Sequence, residues 1–391
     1  MSTVAKVLSE NLLSAALPSP AQIAVERAIS ELRRGGLVVI RDTEHHAAVL
    51  VQAAEMVTAS SMRLLQRLTG SEPTVAVTRQ RVAALRQNAS NSDVQSLIIP
   101  TGADPELVHR IVDPTFPADS HEPTAYTMQE LSLIPERDGG LVQVAVEVAK
   151  LARLLPAVMF ARPAARDVDR VAHWSRDSGL VLVESDHVKM FPQLRAGRLV
   201  QSVSAEVPLA DAENTTLVAF RPLDGGEEHV AIVVGEPDLT APVLVRLHSQ
   251  CLTGDLLGSL RCDCGEQLRG AIRTIAGEGS GVLVYLAQEG RGIGLINKLR
   301  AYQLQDLGLD TIDANELLGF DADERIYLPA AEILRRLGIG SVRLMTNNPD
   351  KVGQLEASGV TVVERVSHVF PSNKHNEAYL QAKAHRSGHL L

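Results

Sequence analysis

From Val243 onward the sequence alternates between two kinds of apolar segment, and that alternation limits the folds open to it. Val243 to His248 reads as a strand, Gln267 to Ala276 as a helix, Gly281 to Ala287 as a strand and Leu295 to Leu307 as a helix. A helix at Ala330 to Leu337, a strand at Ser341 to Met345 and a helix from Pro349 continue the series. Short β-branched runs separated by segments of helical period call for a sheet with helices packed on it. Just upstream, Leu217 to Arg221 and Glu228 to Val234 read as antiparallel strands around the turn Asp224-Gly225-Gly226. The expected sheet is therefore mixed.

The first half is also α/β in pattern. Ile23 to Leu32 has helical spacing, Gly35-Gly36 stops it, and Leu37 to Ile40 reads as a buried strand. Met62 to Leu68 reads as helix, Val142 to Leu155 as a helix closed by Pro156, and Leu180 to Glu184 as a strand. Residues 70–140 are less regular, with Pro114, Pro117 and Pro123 marking a loop-rich crossing. A length of 391 residues suits two or three domains. The expected division is a tail at 1–20, one domain at 21–203 and another at 204–391, with a short linker near 193–206. The fold class is α/β (α+β), in two domains.

Lys and Arg number 38 against 47 Asp and Glu, a net charge of −9. That balance argues against non-specific nucleic-acid binding, though not against a basic pocket for a small anion. No run approaches the roughly 18 apolar residues of a membrane helix. The most apolar stretch, Leu141 to Ala161, is broken by Glu147, Lys150, Arg153 and Pro156. The N-terminus makes a poor secretory signal, so a cytoplasmic protein is expected.

All three cysteines, Cys251, Cys262 and Cys264, fall within fourteen positions. An odd, low count is no disulfide framework. Buried apolar cysteines are common, but a Cys-x-Cys pair in a polar stretch is a poor core pattern. Three thiolates with an open fourth position match a catalytic zinc site, although His248 could supply a fourth ligand. Strand Val282 to Ala287 runs into Gln288-Glu289-Gly290-Arg291-Gly292-Ile293-Gly294, which can present backbone N–H groups to an anion. Its spacing fits neither a dinucleotide fingerprint nor a Walker loop. Thr346-Asn347-Asn348-Pro349-Asp350-Lys351 follows another strand, with Asn348 a good N-cap and Pro349 a good first helical residue. Thr346 and Lys351 could face phosphate there. Asp323 and Arg325 lie two apart in a dense charged run, which by itself reads as solvated surface.

Together these motifs resemble GTP cyclohydrolase II. The resemblance covers about 204–391, on RLHSQCLTGDLLGSLRCDCG, QEGRGIGLINKLRAYQLQDLGLDT, ANELLGFDADERIY, LMTNNPDKV and the ending NEAYLQAKAHRSGHLL. It implies that Cys251, Cys262 and Cys264 are zinc ligands. It implies that Arg246, Leu247, His248, Ser249, Gln250, Gln267, Glu289, Gly290, Arg291, Thr311, Thr346 and Lys351 bind GTP. It implies Asp323 as proton acceptor, Arg325 as nucleophile, and Tyr302 beside the reacting ring. The implied products are 2,5-diamino-6-ribosylamino-4(3H)-pyrimidinone 5′-phosphate, formate and pyrophosphate, in riboflavin biosynthesis. Mg²⁺ accompanies the GTP phosphates, and a homodimer is expected. One departure stands beside the zinc motif: the family reads H-S-E-C where this chain has His248-Ser249-Gln250-Cys251. Gln250 keeps the size and hydrogen bonding of glutamate and loses its charge.

The first half resembles 3,4-dihydroxy-2-butanone 4-phosphate synthase on VERAISELRRGGLVVIRDTEHHAAVLVQAAEMVTASSM and VAVEVAKLARLLPAVMFA. That enzyme's acidic run D-R-E-N-E-G-D is here Thr43-Glu44-His45-His46-Ala47-Ala48-Val49, its G-H-T-E is Gly140-Leu141-Val142-Gln143, and its Cys-Glu is Ala161-Arg162. Mg²⁺ needs hard oxygen ligands, and Ala and Val supply none, so synthase activity is not expected. His45 and His46, adjacent in a presumed strand, are expected to be two exposed histidines rather than a metal pair. Two other outcomes stay open: a related enzyme that stops at the formylated intermediate or serves another pyrimidine step, and a catalytically dead GTP-binding regulator.

Overall fold

The computed structural model describes residues 18–85, 90–117, 131–164 and 170–368. The tail before Pro18, Pro123 and the ending NEAYLQAKAHRSGHLL lie outside them. Two compact units emerge, and neither is one continuous stretch. Ser19–Phe191 and Ile296–Glu324 form one; Pro192–Leu295 and the described residues from Arg325 form the other. Each contains a seven-stranded sheet with helices packed on it, so the chain is mixed α/β.

In the unit that begins at Ser19, the strands are β1 (Val38–Asp42), β2 (Ala47–Ala53), β3 (Thr74–Thr78), β4 (Val94–Ile98), β5 (Ser132–Pro135), β6 (Ala157–Ala161) and β7 (Val181–Glu184), in the order β5-β4-β3-β6-β2-β1-β7. Only β1 and β7 pair in parallel. The helix Pro20–Arg33 starts at a capping box of Ser19 and Gln22 with Pro20 in its first turn. Val25, Ala28, Ile29 and Leu32 fall on one helical face and are buried against Val38, Ile40, Val49 and Val51. The helix expected to run to Leu155 ends sooner, as Leu141–Leu151. Arg153 turns left-handed at φ 59°, and the Leu154 N–H donates back to the Ala149 carbonyl at 3.1 Å. Such a close normally uses glycine.

In the other unit the strands are β8 (Leu199–Glu206), β9 (Thr215–Pro222), β10 (His229–Val234), β11 (Val243–Ser249), β12 (Gly281–Leu286), β13 (Ser341–Met345) and β14 (Thr361–Val366), in the order β14-β13-β11-β12-β10-β9-β8. The stretch expected as a linker near 193–206 is instead the end of the helix Ser185–Ala196 followed by β8. β8 is an edge strand, and its pairing with β9 satisfies the inward side of that backbone. Strands β14, β13, β11 and β12 run parallel, while β10, β9 and β8 are antiparallel.

The two-residue period of β11 sorts its side chains. Val243, Val245 and Leu247 join Val282, Val284, Val342 and Leu344 under the helix Leu328–Arg336. Leu244 points to the other face, with Leu283, Met345 and the helix Cys264–Gly277. Arg246 and His248 share that second parity. Strand β11 lies between β12 and β13, so the chain leaves it on one side for β12 and crosses back for β13. Ligands of open parallel sheets bind outside the carboxyl ends of strands at such a reversal.

Candidate active site

The carboxyl end of β11 leads directly into the cysteines. Cys251 opens a π-helical turn, Leu252–Leu256, and Cys264 is the first residue of the helix Cys264–Gly277. One ligand atom from each of Cys251, Cys262 and Cys264 lies within 4.8 Å of the others, and the Cys251 and Cys262 sulfurs are 3.8 Å apart. Gly254 makes room for them: a Cβ there would sit 2.7 Å from the Cys262 Sγ and 3.1 Å from the Cys251 Sγ. The Gly254 N–H also donates to the Cys251 Sγ at 3.3 Å. Hydrogen bonding to Cys251 pushes the Cys262 thiol up to about 11. Cys264 moves upward as well, through hydrogen bonds to Cys251 and Cys262 and through burial. Three sulfurs this close ionise together only around a cation. The softness and number of the donors fit zinc with one position left open, and the Cys264 sulfur also gains from the helix N-terminus.

A buried carboxylate organises the ground beneath this cluster. Asp255 lies 3.0 and 3.2 Å from the His248 Nε2 through its two oxygens. It accepts from the Cys251 N–H at 2.9 Å and from the Tyr285 hydroxyl at 2.8 Å. His248 and Tyr285 are partners in the parallel register of β11 and β12, with rings stacked 5.5 Å apart. Burial lowers the His248 pKa against the pull of Asp255, and burial with the Asp255 hydrogen bond raises that of Tyr285. With Nε2 turned to Asp255, His248 does not join the sulfur cluster as a fourth ligand. Neither Asp255 nor Tyr285 stood out in the sequence. The available signal was an acid four residues after Cys251, within one turn of it.

Glu289 has a local structural task. Its carboxylate accepts from the Leu252 N–H at 2.6 Å and from the Gly290 N–H at 3.1 Å, tying the glycine loop to the cysteine turn. Gly290, Arg291, Gly292 and Gly294 all have positive φ. Arg291 holds φ 60° without being glycine, a costly conformation of the kind that clusters at functional sites.

Cations gather beside these loops. Arg246 is buried; its guanidinium donates to the Met345 carbonyl at 2.8 Å and to Gln267. Burial lowers it to about 10, still protonated at neutral pH. Its Nε has no hydrogen-bond partner, nor have the Ser249 Oγ and the Gln288 Oε1. Buried polar atoms without a protein partner call for one from solvent or a ligand. Lys351 is buried, with its Nζ 3.5 Å from the Leu247 carbonyl and 5.6 Å from the centre of the Tyr327 ring. The Arg325 guanidinium lies 6.0 Å from that same ring. Asn348 caps the helix Pro349–Ala357 as its sequence suggested, and its N–H donates to the Thr346 Oγ1 at 3.1 Å. The Leu247 side chain belongs to the apolar cluster, which leaves its backbone for any ligand contact. The Gln250 N–H donates to the Leu286 carbonyl at 2.8 Å.

Three residues singled out in the sequence belong to the other unit, on 296–324. Tyr302 has the Lys298 ammonium 5.7 Å from its ring centre. Thr311 accepts from the Gln305 side chain at 3.3 Å, and Asp323 is exposed. In that unit His45 and His46 are both exposed, as expected, but for a different reason. They sit in the turn between β1 and β2, not on a strand. The His45 Nδ1 lies 3.0 Å from Asp42.

The family model for GTP cyclohydrolase II matches residues 200–367. A protein from Azospirillum brasilense named GTP cyclohydrolase-2 is 50% identical over 368 residues, covering 94% of this chain and 94% of that one. This chain belongs to the GTP cyclohydrolase II family. Membership makes it an enzyme, a hydrolase. The riboflavin biosynthesis protein RibBA of Chlorobium phaeovibrioides is 37% identical and covers 94% of this chain and 96% of that one. A solved two-domain 3,4-dihydroxy-2-butanone 4-phosphate synthase from A. baumannii covers 82% of this chain and 93% of that one at 18% identity and a TM-score of 0.34. So slight a likeness adds nothing to the assignment. The family match includes 296–324, the segment that packs with Ser19–Phe191. Among the described residues no helix is long and apolar enough to cross a membrane.

Proposed function

We propose that this family member carries out the full cyclohydrolase II reaction of riboflavin biosynthesis. GTP is converted to 2,5-diamino-6-ribosylamino-4(3H)-pyrimidinone 5′-phosphate, formate and pyrophosphate. The observation that carries the reading is the group of three sulfurs within 4.8 Å of one another around Gly254. Cys251, Cys262 and Cys264 would hold zinc. Zinc bound there supplies Lewis-acid activation of water near neutral pH.

The remaining work falls to the chain's own groups. Arg246, Arg291, Arg325 and Lys351 offset the charge of the triphosphate, a task Mg²⁺ would share. Thr346 and the backbone of the glycine loop donate to it. The Leu247 backbone, His248, Ser249, Gln250, Gln267, Thr311 and Glu289 complete the substrate-binding set; Glu289 also keeps the cysteine turn in place. Asp323 takes up a proton, and Tyr302 flanks the guanine ring. Guanidinium groups stay protonated in proteins, so Arg325 acts as a cation on the α-phosphate rather than as a free nucleophile. The division of the chain into a synthase-like 21–203 and a cyclohydrolase 204–391 is part of this proposal, as is a homodimer. The first region is assigned no synthase reaction.

Mass spectrometry of the purified protein with GTP, Zn²⁺ and Mg²⁺ tests the reading, with formate and pyrophosphate assayed in the same sample. The expected result is the diaminopyrimidinone phosphate with both co-products. The formylated compound alone would replace full turnover with a reaction arrested after ring opening, and would direct attention to Gln250. Unchanged GTP from a folded, zinc-loaded sample would overturn the reaction and favour a binding role.

A further inference from the structure

Residues 296–324 belong to the cyclohydrolase family match, yet they fold within the same compact unit as Ser19–Phe191. The attachment is dense and specific. Arg300 forms ion pairs with Glu55 at 2.7 Å and Asp113 at 3.0 Å. Arg81 is buried, and its guanidinium donates to the Ile111 carbonyl at 2.8 Å, the Arg110 carbonyl at 3.2 Å and the Leu317 carbonyl at 2.9 Å. The last of these lies at the end of the helix Thr311–Leu317, where a cation satisfies an otherwise open carbonyl and the negative end of the helix. The Thr78 hydroxyl donates to the Gly319 carbonyl at 2.6 Å. Gly319 has φ 92°, and a Cβ there would lie 2.9 Å from the Thr78 Oγ1 and 3.0 Å from Pro156.

Two further contacts fix the ends of the segment. Asn297 is fully buried and donates through Nδ2 to the carbonyl of Arg153 at 3.1 Å, the residue held left-handed at the close of its helix. Lys150 pairs with Glu324 at 2.9 Å and Asp321 at 3.4 Å, on either side of Asp323. Burial works against the charge on Lys150, and the carboxylates of Glu324, Glu147 and Asp321 more than offset it. Ile312, Leu318 and Phe320 are buried along the same segment. Ordering a chain segment costs backbone entropy at every residue, so contacts repeated along the whole stretch determine its conformation.

We propose that the N-terminal region, whose synthase-type acidic residues are replaced, works as a mount for residues 296–324, and that Arg81, Lys150, Glu55 and Asp113 are positioning residues for Tyr302, Thr311 and Asp323. This rests on the reading above, in which those three residues serve the reaction. None of the four touches substrate; each acts by holding the segment that carries residues that do. The region lacks the synthase-type acidic run at 43–49, and this proposal gives its surface a mechanical use instead.

The test uses the full chain, zinc-loaded, in two forms: Lys150→Met and Lys150→Arg. Lys150 lies outside the apolar clusters, so its substitution spares the core. Lys150→Met is expected to keep its zinc content and its hydrogen exchange at residues 251–264, and to exchange faster across 311–324. Its kcat should fall about 10- to 100-fold, as misplaced reacting groups do, with KM changed far less. Lys150→Arg, which keeps the ion pairs, should restore kcat. Unchanged exchange and unchanged kcat in Lys150→Met, on a chain that turns over, would overturn the mount. If the unsubstituted chain makes no product, or if Tyr302→Phe and Asp323→Asn both retain full turnover, the underlying reading fails instead, and the mount with it.

Discussion

The two seven-stranded sheets of this chain carry comparable apolar cores and very different edges. In the sheet β8–β14, the ends of β11, β12 and β13 lead to the cysteines, the glycine loop and Thr346. In the sheet β1–β7, the turn that would hold acidic ligands carries two exposed histidines. There the first turn of the helix Leu141–Leu151 offers Leu141, Val142 and Gln143. Val142 is part of the core, and the Gln143 side chain accepts from the Gly139 N–H at 2.6 Å. Arg162 pairs with Glu136 at 3.0 Å. Two sheets can be equally well built and differ in what their loops carry, because alternating apolar residues specify the fold while chemistry resides in a few loop residues that the core does not need.

Four substitutions or conditions sharpen that contrast. The largest effect is expected from Cys262→Ser, which should abolish turnover and strip zinc, read by metal analysis beside formate release; retained turnover would show that the cysteine cluster is not the reacting centre. Asp255→Asn comes next. It leaves the sulfurs in place but weakens the carboxylate that holds the Cys251 N–H, His248 and Tyr285. A loss of about 10- to 100-fold in metal affinity is expected, as for other groups that orient ligands, measured by competition with a chelator.

A smaller effect concerns His368, which is buried with its Nε2 2.9 Å from the Gln267 carbonyl. Burial, with Arg246 nearby, lowers its pKa from 6.5 to about 4. A histidine depressed in the folded state binds its proton first in the unfolded state. Its contribution is thus complete above pH 6.5 and declines as pH falls toward 4. Urea midpoints at pH 7 and pH 5 should differ, and His368→Asn should narrow the difference. The smallest effect is expected from His45→Ala with His46→Ala. Both side chains are exposed, so only the His45–Asp42 contact and the left-handed backbone at His46 are disturbed; stability should change by about 1 kcal/mol or less and turnover should not change. A large loss of activity there would reopen the N-terminal region as a reacting site.

Much of this protein was legible from short-range pattern. The strand Ser341–Met345, the helix capped by Asn348 and the antiparallel pair β9–β10 follow from local period and turn chemistry. The cysteine spacing and the ordered motifs pointed to the family because those residues recur in a fixed order along the chain. Irregular stretches read less well: β3 to β5 pass through a run of prolines and short elements, where no period lasts long enough to register. The apparent linker near 193–206 was polar enough to look loose, and only its pairing with β9 showed it to be strand.

By itself, the sequence determined much of the alternation of strands and helices, the cap at Asn348, the clustering of three thiols within fourteen positions and the lack of a synthase-type acidic run at 43–49. Each of these is set by residues close together in the chain. Tertiary structure alone decided the rest. The register of β11 against β12 stacked His248 on Tyr285 and gave both to Asp255, 7 and 30 residues away. Chain crossover buried Arg246 against a carbonyl 99 residues distant. Thr78 met Gly319 across 241 residues, so that a stretch of the cyclohydrolase match folds on the N-terminal sheet's unit. Periodicity specifies which face of an element is buried; only the packed molecule specifies what it is buried against.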